Sequence, residues 1–332
     1  MKKHVAIVGA TGAVGQEMIK VLLERNFPYQ TLRLFASKQS AGKKLTIHNQ
    51  NFIVEEFHDH CLNNIDIVFG ATDALVAKDI AKQTKQNHAL FIDNSSAFRL
   101  DEDVPLIIPE VNSSDFLTHQ GIIANPNCAT IIALTALQPL HAYANIQRLI
   151  VSTYQAVSGA GIYGIQELQQ QIENIAHQHP IQIQHFPCQI AYNLIPQIGS
   201  FHDSGYSEEE IKLEKESKKI LHDPSLLVNC TCVRVPVVRS HSESIYVEFK
   251  QPIDVHTAKQ LLQQGNGVRF IDQNDNTKYP TPLDTSNQDY IYVGRIRKDP
   301  NPCVHALSLW CCGDQLRKGA ATNAIQIAEL SL

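Results

Sequence analysis

The chain has 332 residues, a formal net charge of −5 and 18% charged residues. A single hydrophobic core rarely grows past roughly 250–300 residues, so two domains are expected. No clustered basic stretch offers a nucleic-acid surface. No apolar run reaches the ~18 residues of a membrane span. Met1-Lys2-Lys3 leads straight into an apolar run and not into a secretory leader, so a cytoplasmic protein is expected.

Taken in order, His4-Val-Ala-Ile-Val8 reads as a strand, Gly9-Ala-Thr-Gly-Ala-Val-Gly15 as a turn, and Ala13–Arg25 as a helix. Strand, glycine turn and helix form the phosphate-binding corner of a dinucleotide fold, because glycines let the backbone approach a pyrophosphate at a helix N-terminus. Gly9 and Gly12 are candidate cofactor residues on this reading, and a plain tight turn is the alternative. The strand Thr31–Ala36 ends in Ser37-Lys38-Gln39-Ser40-Ala-Gly-Lys43. A site selective for NAD usually has Asp or Glu there for the ribose hydroxyls. Hydroxyls, an amide and lysines suit a 2′-phosphate instead, so NADP is the expected cofactor. Further strands are expected at 53–57, 65–71, 89–93, 106–108 and 121–124, with a helix at 74–86. This alternation implies a doubly wound, mostly parallel Rossmann-like sheet.

Asn125-Pro-Asn-Cys-Ala-Thr130 closes that domain. The apolar residues Ala129, Ile132, Ala133, Ala136, Leu137 and Leu140 then follow at helical spacing. Asn127 is a good N-cap type, and Cys128 would open the helix. A thiol there faces unpaired backbone N–H groups and the positive end of the helix dipole, which favour the thiolate. The bland alternative is an inert buried cysteine. The other seven cysteines, at 61, 188, 230, 232, 303, 311 and 312, lack zinc spacing, and no metal site is expected.

From about residue 147 the pattern changes. Strands are expected at 149–154, 228–238, 244–250, 268–271, 290–295 and 304–311, with helices at 163–177, 207–221 and 313–330. Consecutive strands imply an α+β domain, and the final helix would return to the first domain. Gln155 lies at a strand end before small residues. Glu209 and Lys212 share one helix face at i, i+3, a spacing that is commonly only a surface ion pair. Arg234 and His241 supply a carboxylate fork and a titratable base within eight residues. Seven residues apart on one regular strand they would face opposite ways, so a bend at Pro236 or near Ser240 is required.

These residues resemble a known family, the bacterial aspartate-β-semialdehyde dehydrogenases. The shared segments are G-A-T-G-A-V-G at 9–15, D-N-S-S-A-F-R at 93–99, N-P-N-C-A-T at 125–130, Y-Q-A-V-S-G-A-G at 154–161, E-E-I-K at 209–212, R-V-P-V-V-R-S-H-S at 234–242 and K-G-A-A-T-N-A at 318–324. The resemblance implies an NADP-binding domain over 1–127, a catalytic and dimerisation domain over 128–312, a C-terminal helix over 313–332, and a homodimer. The implied reaction reduces L-aspartyl-4-phosphate with NADPH to L-aspartate 4-semialdehyde and phosphate, on the route to lysine, threonine, methionine and diaminopimelate. By position, Cys128 matches the nucleophile, His241 the acid/base and Gln155 a substrate-orienting residue. Arg234 matches the clamp on the α-carboxylate and Glu209 that on the ammonium. Arg99 and Lys212 match the phosphate site, with Asn94 or Asn127 assisting. Thr11, Gly12, Ala13, Val14, Gln39, Ser40, Ser158, Gly159 and Gln315 match cofactor positions. The chain departs from the family at 37–40, where an arginine-containing turn is expected, and at Ala129, where many relatives carry Ser.

The nearest alternative is reduction of N-acetyl-glutamyl phosphate, whose acetylated nitrogen would give Glu209 no charge to meet. A glyceraldehyde-3-phosphate dehydrogenase would show S-C-T-T-N around its cysteine. A non-catalytic NADP-binding sensor would not need Cys128, Gln155, Arg234 and His241 together, and a cysteine hydrolase would not need the nucleotide corner.

Overall fold

The computed structural model describes residues 2–271, 278–301 and 303–332. The chain divides into two compact units, Met1–Asn127 with Gly319–Leu332, and Cys128–Lys318.

In the first unit, strands β1 (Lys3–Val8), β2 (Tyr29–Ala36), β3 (Lys44–Ile47), β4 (Gln50–Glu56), β5 (Ile67–Gly70), β6 (Leu90–Asp93) and β7 (Ile122–Ala124) form one sheet. Their order is β3-β4-β2-β1-β5-β6-β7. Every pair is parallel except the β3–β4 hairpin. Helices α1 (Ala13–Glu24), α2 (Ala74–Gln86) and the short α3 (Pro109–Asn112) connect the strands. Both faces are covered, which is why β1 is a continuous apolar run and does not alternate. Val5 and Ile7 pack with Met18 and Leu22 of α1 and with Ile325 of the C-terminal helix. Ala6 and Val8 pack with Ile80 of α2 on the other face. Arg25 clamps Glu329 at 2.8 and 2.6 Å and ties α1 to the chain's end. The hairpin strand β3 was not expected, and the expected strand at 106–108 is reduced to an isolated bridge from Leu106 to Ala124.

In the second unit the elements are α4 (Cys128–Ala144), β8 (Ile146–Gln155), α5 (Gly161–Ala176), α6 (Glu208–Ile220), β9 (Leu227–Arg234), β10 (His241–Phe249), α7 (Val255–Gln263), β11 (Val268–Ile271), α8 (Pro282–Thr285), β12 (Ile291–Lys298) and β13 (Ala306–Gly313). The six-stranded mixed sheet has the order β11-β12-β13-β10-β8-β9. Helix α4 contacts the sheet on one side and α6 and α7 on another, so nearly all of its surface is buried. Its apolar residues consequently run all round the helix. On β8 the residues Leu149, Val151, Thr153 and Gln155 are buried, and Ile150, Ser152 and Tyr154 are half-exposed.

Two expectations are corrected in this unit. The run 228–238 is not one strand. β9 stops at Arg234, and residues 235–240 cross the end of β8 before β10 begins on its other side. Pro236 has no N–H for a ladder, and Ser240 turns the chain at φ +72°. The expected helix over 313–330 is also broken. β13 runs to Gly313, and Asp314 accepts from the N–H groups of Leu316 and Arg317 at 2.9 and 3.2 Å. A π-helical turn at Arg317–Ala321 follows, and the helix proper is Thr322–Glu329.

Candidate active site

In the first unit the glycine corner fits a dinucleotide phosphate. Gly9 has φ +87°, and a Cβ there would lie 2.2 Å from the Ala71 carbonyl oxygen. A Cβ at Gly15 would lie 2.2 Å from the Gly9 carbonyl oxygen, so the turn can pack against α1 only without side chains. Gly12 precedes α1 with no side-chain cap, and no acid occupies the first turn, which leaves that terminus suited to an anion. Thr11, Ala13 and Val14 flank this point. β1 and β2 pair in parallel with Val8 opposite Phe35, so the turn after β2 lies at the same sheet edge. There, Lys38-Gln39-Ser40 form a 3-10 turn and Lys43 Nζ donates to Ser40 Oγ at 3.3 Å.

Further along that edge Arg99 and Asn94 come together. Buried Arg99 donates through Nε to the Asn125 carbonyl at 3.0 Å and through Nη2 to the Asn94 carbonyl at 2.8 Å. Asn94 donates to the Gly70 carbonyl at 2.8 Å, and Asn125 donates to Asn94 Oδ1 at 2.8 Å. Asn323 holds Asn125 Oδ1 at 2.6 Å. Asn127, also buried, ends this unit.

In the second unit three adjacent strand ends carry the reactive types. Arg234 pairs with Gln155 in the β8–β9 register, and His241 stands one residue beyond the Ser242–Tyr154 pair of β8–β10. The phase difficulty disappears because Arg234 and His241 are on different strands with β8 between them. Ala156 links the two. Its N–H donates to His241 Nδ1 at 3.0 Å, and its carbonyl accepts from Arg234 Nη1 at 2.7 Å. Gly159 keeps the space beside them open, since a Cβ there would come 2.7 Å from Arg234 Nη1 and 3.3 Å from His241 Nε2. His241 is fully buried, and burial, then Arg234, hold its pKa well below the ordinary value. Burial lowers the pKa of Arg234 too, against the opposing pull of Glu209 and Cys128.

Gln155 is held at both ends. Thr153 donates to its Oε1 at 3.0 Å, and its Nε2 donates to Glu209 Oε1 at 3.1 Å. Glu209 is buried, and Lys212 approaches its other oxygen at 3.5 Å. The i, i+3 pair thus joins a buried acid to a half-exposed lysine. Cys128, half-exposed, is the first residue of α4 and lies near enough to Arg234 to influence it. Gln315 accepts from the Ser240 N–H at 2.8 Å and bonds the Ser158 hydroxyl. Sequence reasoning did not name Thr153 or Ala156. Thr153 was legible in principle, since it shares a strand face with Gln155 two residues away. The two arms of Ala156 were not, because a backbone contact leaves no mark on residue type.

Among the described residues no group of three or more His, Cys, Asp or Glu is placed to hold a metal ion, and no helix is long and apolar enough to cross a membrane. Two family models match the chain: "Semialdehyde dehydrogenase, NAD binding domain" over residues 4–119 and "Semialdehyde dehydrogenase, dimerisation domain" over 137–318. The aspartate-semialdehyde dehydrogenase of Bacillus subtilis is 44% identical over 98% of this chain and 96% of its own length. The crystal structure of aspartate semialdehyde dehydrogenase II from Vibrio cholerae, complexed with ASA, superposes with a TM-score of 0.96 at 41% identity, covering 99% of this chain and 98% of that one. The Candida albicans enzyme, crystallised with NADP, gives 0.76 at 28% identity over 99% and 98%. In sequence and in fold, along almost its whole length, the chain belongs to the aspartate-semialdehyde dehydrogenase family.

Proposed function

We propose that this protein catalyses the NADPH-dependent reductive dephosphorylation of L-aspartyl-4-phosphate to L-aspartate 4-semialdehyde, a step of amino-acid biosynthesis. One observation carries the substrate assignment. A carboxylate fork, Arg234, and a buried acid, Glu209, are joined through Ala156, Gln155 and their hydrogen bonds at one end of the second sheet. A small zwitterion has an anion for the first and a cation for the second.

Cys128 attacks the acyl carbonyl, forming a C–S bond as the phosphate leaves. Arg99 and Lys212 receive that dianion, with Asn94 and Asn127 assisting. Gln155 orients the acyl group and His241 meets the reacting oxygen. A dinucleotide held by its pyrophosphate at the glycine corner would supply the hydride that reduces the thioester. Gly9, Thr11–Val14, Gln39, Ser40, Ser158, Gly159 and Gln315 would hold that cofactor. We assign NADP over NAD because no acid stands at the end of β2, where Ser37–Ser40 and Lys43 suit a 2′-phosphate. Residues 1–127 would be the cofactor domain, 128–312 the catalytic and dimerisation domain, and 313–332 the returning segment of a cytoplasmic homodimer. The half-exposed alternation on β8, β10 and β13, with Ser152, Tyr154, Ser244, Tyr246, Ser308 and Trp310, supports the dimer.

Phosphate-dependent NADP reduction, assayed with aspartate semialdehyde and with N-acetyl-glutamate semialdehyde, tests the reading. Turnover of the first alone is expected. Preference for the second would overturn it.

A further inference from the structure

Three asparagines far apart in the chain form one line of hydrogen bonds in the first unit. Asn323, on the C-terminal helix (Thr322–Glu329), donates through Nδ2 to the Ile107 carbonyl at 2.9 Å and to Asn125 Oδ1 at 2.6 Å. Asn125 donates through Nδ2 to the Ala320 carbonyl at 3.3 Å and to Asn94 Oδ1 at 2.8 Å. Asn94 donates through Nδ2 to the Gly70 carbonyl at 2.8 Å. Asn323 and Asn125 are buried and Asn94 is half-exposed, so the line runs from the core outward.

The sense of this line is fixed. Each amide nitrogen faces a backbone carbonyl, which can only accept, so turning any one of the three amides over would set two oxygens against each other. In a buried place that leaves an acceptor unsatisfied. Asn323 therefore gives an N–H to the Asn125 oxygen, and Asn125 must turn its own N–H to the Asn94 oxygen. The Asn94 nitrogen carries two hydrogens, of which Gly70 takes one, and among the described residues it makes no other hydrogen bond. Arg99 is tied to the same two residues, through Nε to the Asn125 carbonyl and through Nη2 to the Asn94 carbonyl. A guanidinium and an amide N–H thus belong to one assembly of donors that suits an oxyanion. As filling, buried amides gain little, because each hydrogen bond replaces one made to water. Their gain lies in a specified orientation.

Resting on the acyl-phosphate reading above, we propose that Asn323 and Asn125 are positioning residues for the phosphate. Through Asn94 they keep an amide N–H, and not an amide oxygen, turned to a phosphoryl oxygen held by Arg99. Neither touches the ligand. An Asn94 turned over would offer the phosphate an oxygen, and the two would repel. The C-terminal helix carries no residue of the proposed substrate site, yet it sets phosphate recognition from within the core of the first unit.

The test uses the full-length protein and inorganic phosphate. Oxidation of aspartate semialdehyde at steady state gives separate KM values for phosphate, semialdehyde and NADP, and calorimetric titration of the resting protein gives the phosphate Kd without turnover. Asn323→Ala and Asn125→Ala each remove donors from the line, and either carries the test if the other does not fold. Both should raise the phosphate KM and Kd by about three- to tenfold, with the other two KM values changed less than about twofold. A rise in all three alike, or in none, overturns the proposal. Ile325→Ala, on the same helix and packed in the core with β1, is the control for lost stability. It should lower Tm at least as far as Asn323→Ala and leave the phosphate KM within about twofold. An equal rise there would reduce the effect to destabilisation and overturn the proposal. In an Asn94→Ala background, Asn323→Ala should add less than about twofold, because the group it orients is gone. Full additivity would overturn the route through Asn94. A protein whose phosphate Kd responds as expected but which does not turn over aspartate semialdehyde would sink the substrate reading and leave the asparagine line standing. Turnover with an unmoved phosphate KM would sink the line alone.

Discussion

Arg234 commits one guanidinium nitrogen to the Ala156 carbonyl, and the remaining fork is what a carboxylate would meet. Lysine at this position keeps the charge but loses the plane that serves both partners. Arg234→Lys should lower kcat/KM for the semialdehyde by about 10–100-fold, or about 1.4–2.8 kcal/mol, and leave the phosphate KM nearly unchanged. A raised phosphate KM with an unaltered semialdehyde KM would show that Arg234 serves the other end of the substrate. Thr153 holds the Gln155 oxygen and thereby turns the amide N–H towards Glu209, which makes it a positioning residue if Gln155 meets the substrate as proposed. Thr153→Val preserves shape and removes that donor. It should lower kcat by about 3–10-fold, about 0.7–1.4 kcal/mol, with KM little changed, and Thr153→Ser should restore most of it. Failure of serine to rescue would mean that packing, not the hydrogen bond, is what Thr153 supplies.

At the scale of elements, the proposed preference for NADP rests on the turn after β2. Ser37–Ser40 and Lys43 present hydroxyls, an amide and two ammonium groups beside the glycine corner, with no carboxylate at the strand end. Ser40→Asp places a negative charge where the 2′-phosphate would lie, and it should reduce kcat/KM with NADP by at least about tenfold while affecting NAD far less. Equal efficiency of the wild type with both cofactors would remove the premise. The connection 235–240 matters as much for the chemistry. Because it crosses the end of β8, the β9 terminus, the β8 terminus and the β10 start lie side by side, with Val235 N–H bonded to the Gln155 carbonyl at 3.0 Å and Val157 N–H to the Val237 carbonyl at 2.9 Å. A straight strand running on from Arg234 to His241 would have left the two on opposite faces.

For the whole molecule, the buried titratable groups set the pH range of stability. The folded pKa of His241 lies below 6.5, so as pH falls through 6.5 the unfolded chain takes up a proton that the native state does not, and stability is lost on the acid side. Glu243 acts oppositely. Its folded pKa is raised above 4.5, so the unfolded chain releases a proton that the native state keeps, and stability declines as pH rises from 4.5 towards the folded value. Each such group changes stability by at most about 1.4 kcal/mol per pH unit inside its window. Glu243→Gln, which removes the ionisation and keeps the shape, should raise Tm at pH 8, and the gain should shrink as pH approaches 4.5. A Tm difference independent of pH would place the charged form of Glu243 in the native state. Between pH 4.5 and 6.5 the contributions of His241 and Glu243 therefore oppose each other.

What the sequence determined by itself was local. The glycine turn after β1, the helix opening at Cys128 and the doubly covered parallel sheet follow from periodicity and from backbone needs that only certain residues meet. The family resemblance then named Gln155, Glu209, Arg234 and His241, but no local rule could say that they meet. Periodicity extended β9 past Arg234 and ran the last helix back to residue 313, because a strand end and an Asp314 turn depend on which neighbours stop first. Tertiary structure alone decided that Arg234 and His241 flank β8, that Thr153 and Glu209 hold Gln155 between them, and that the Ala156 N–H faces Nδ1 of His241. Those contacts join residues far apart in the chain, often through backbone groups that every residue carries. They exist only once the sheet order has been set by burial across the whole unit.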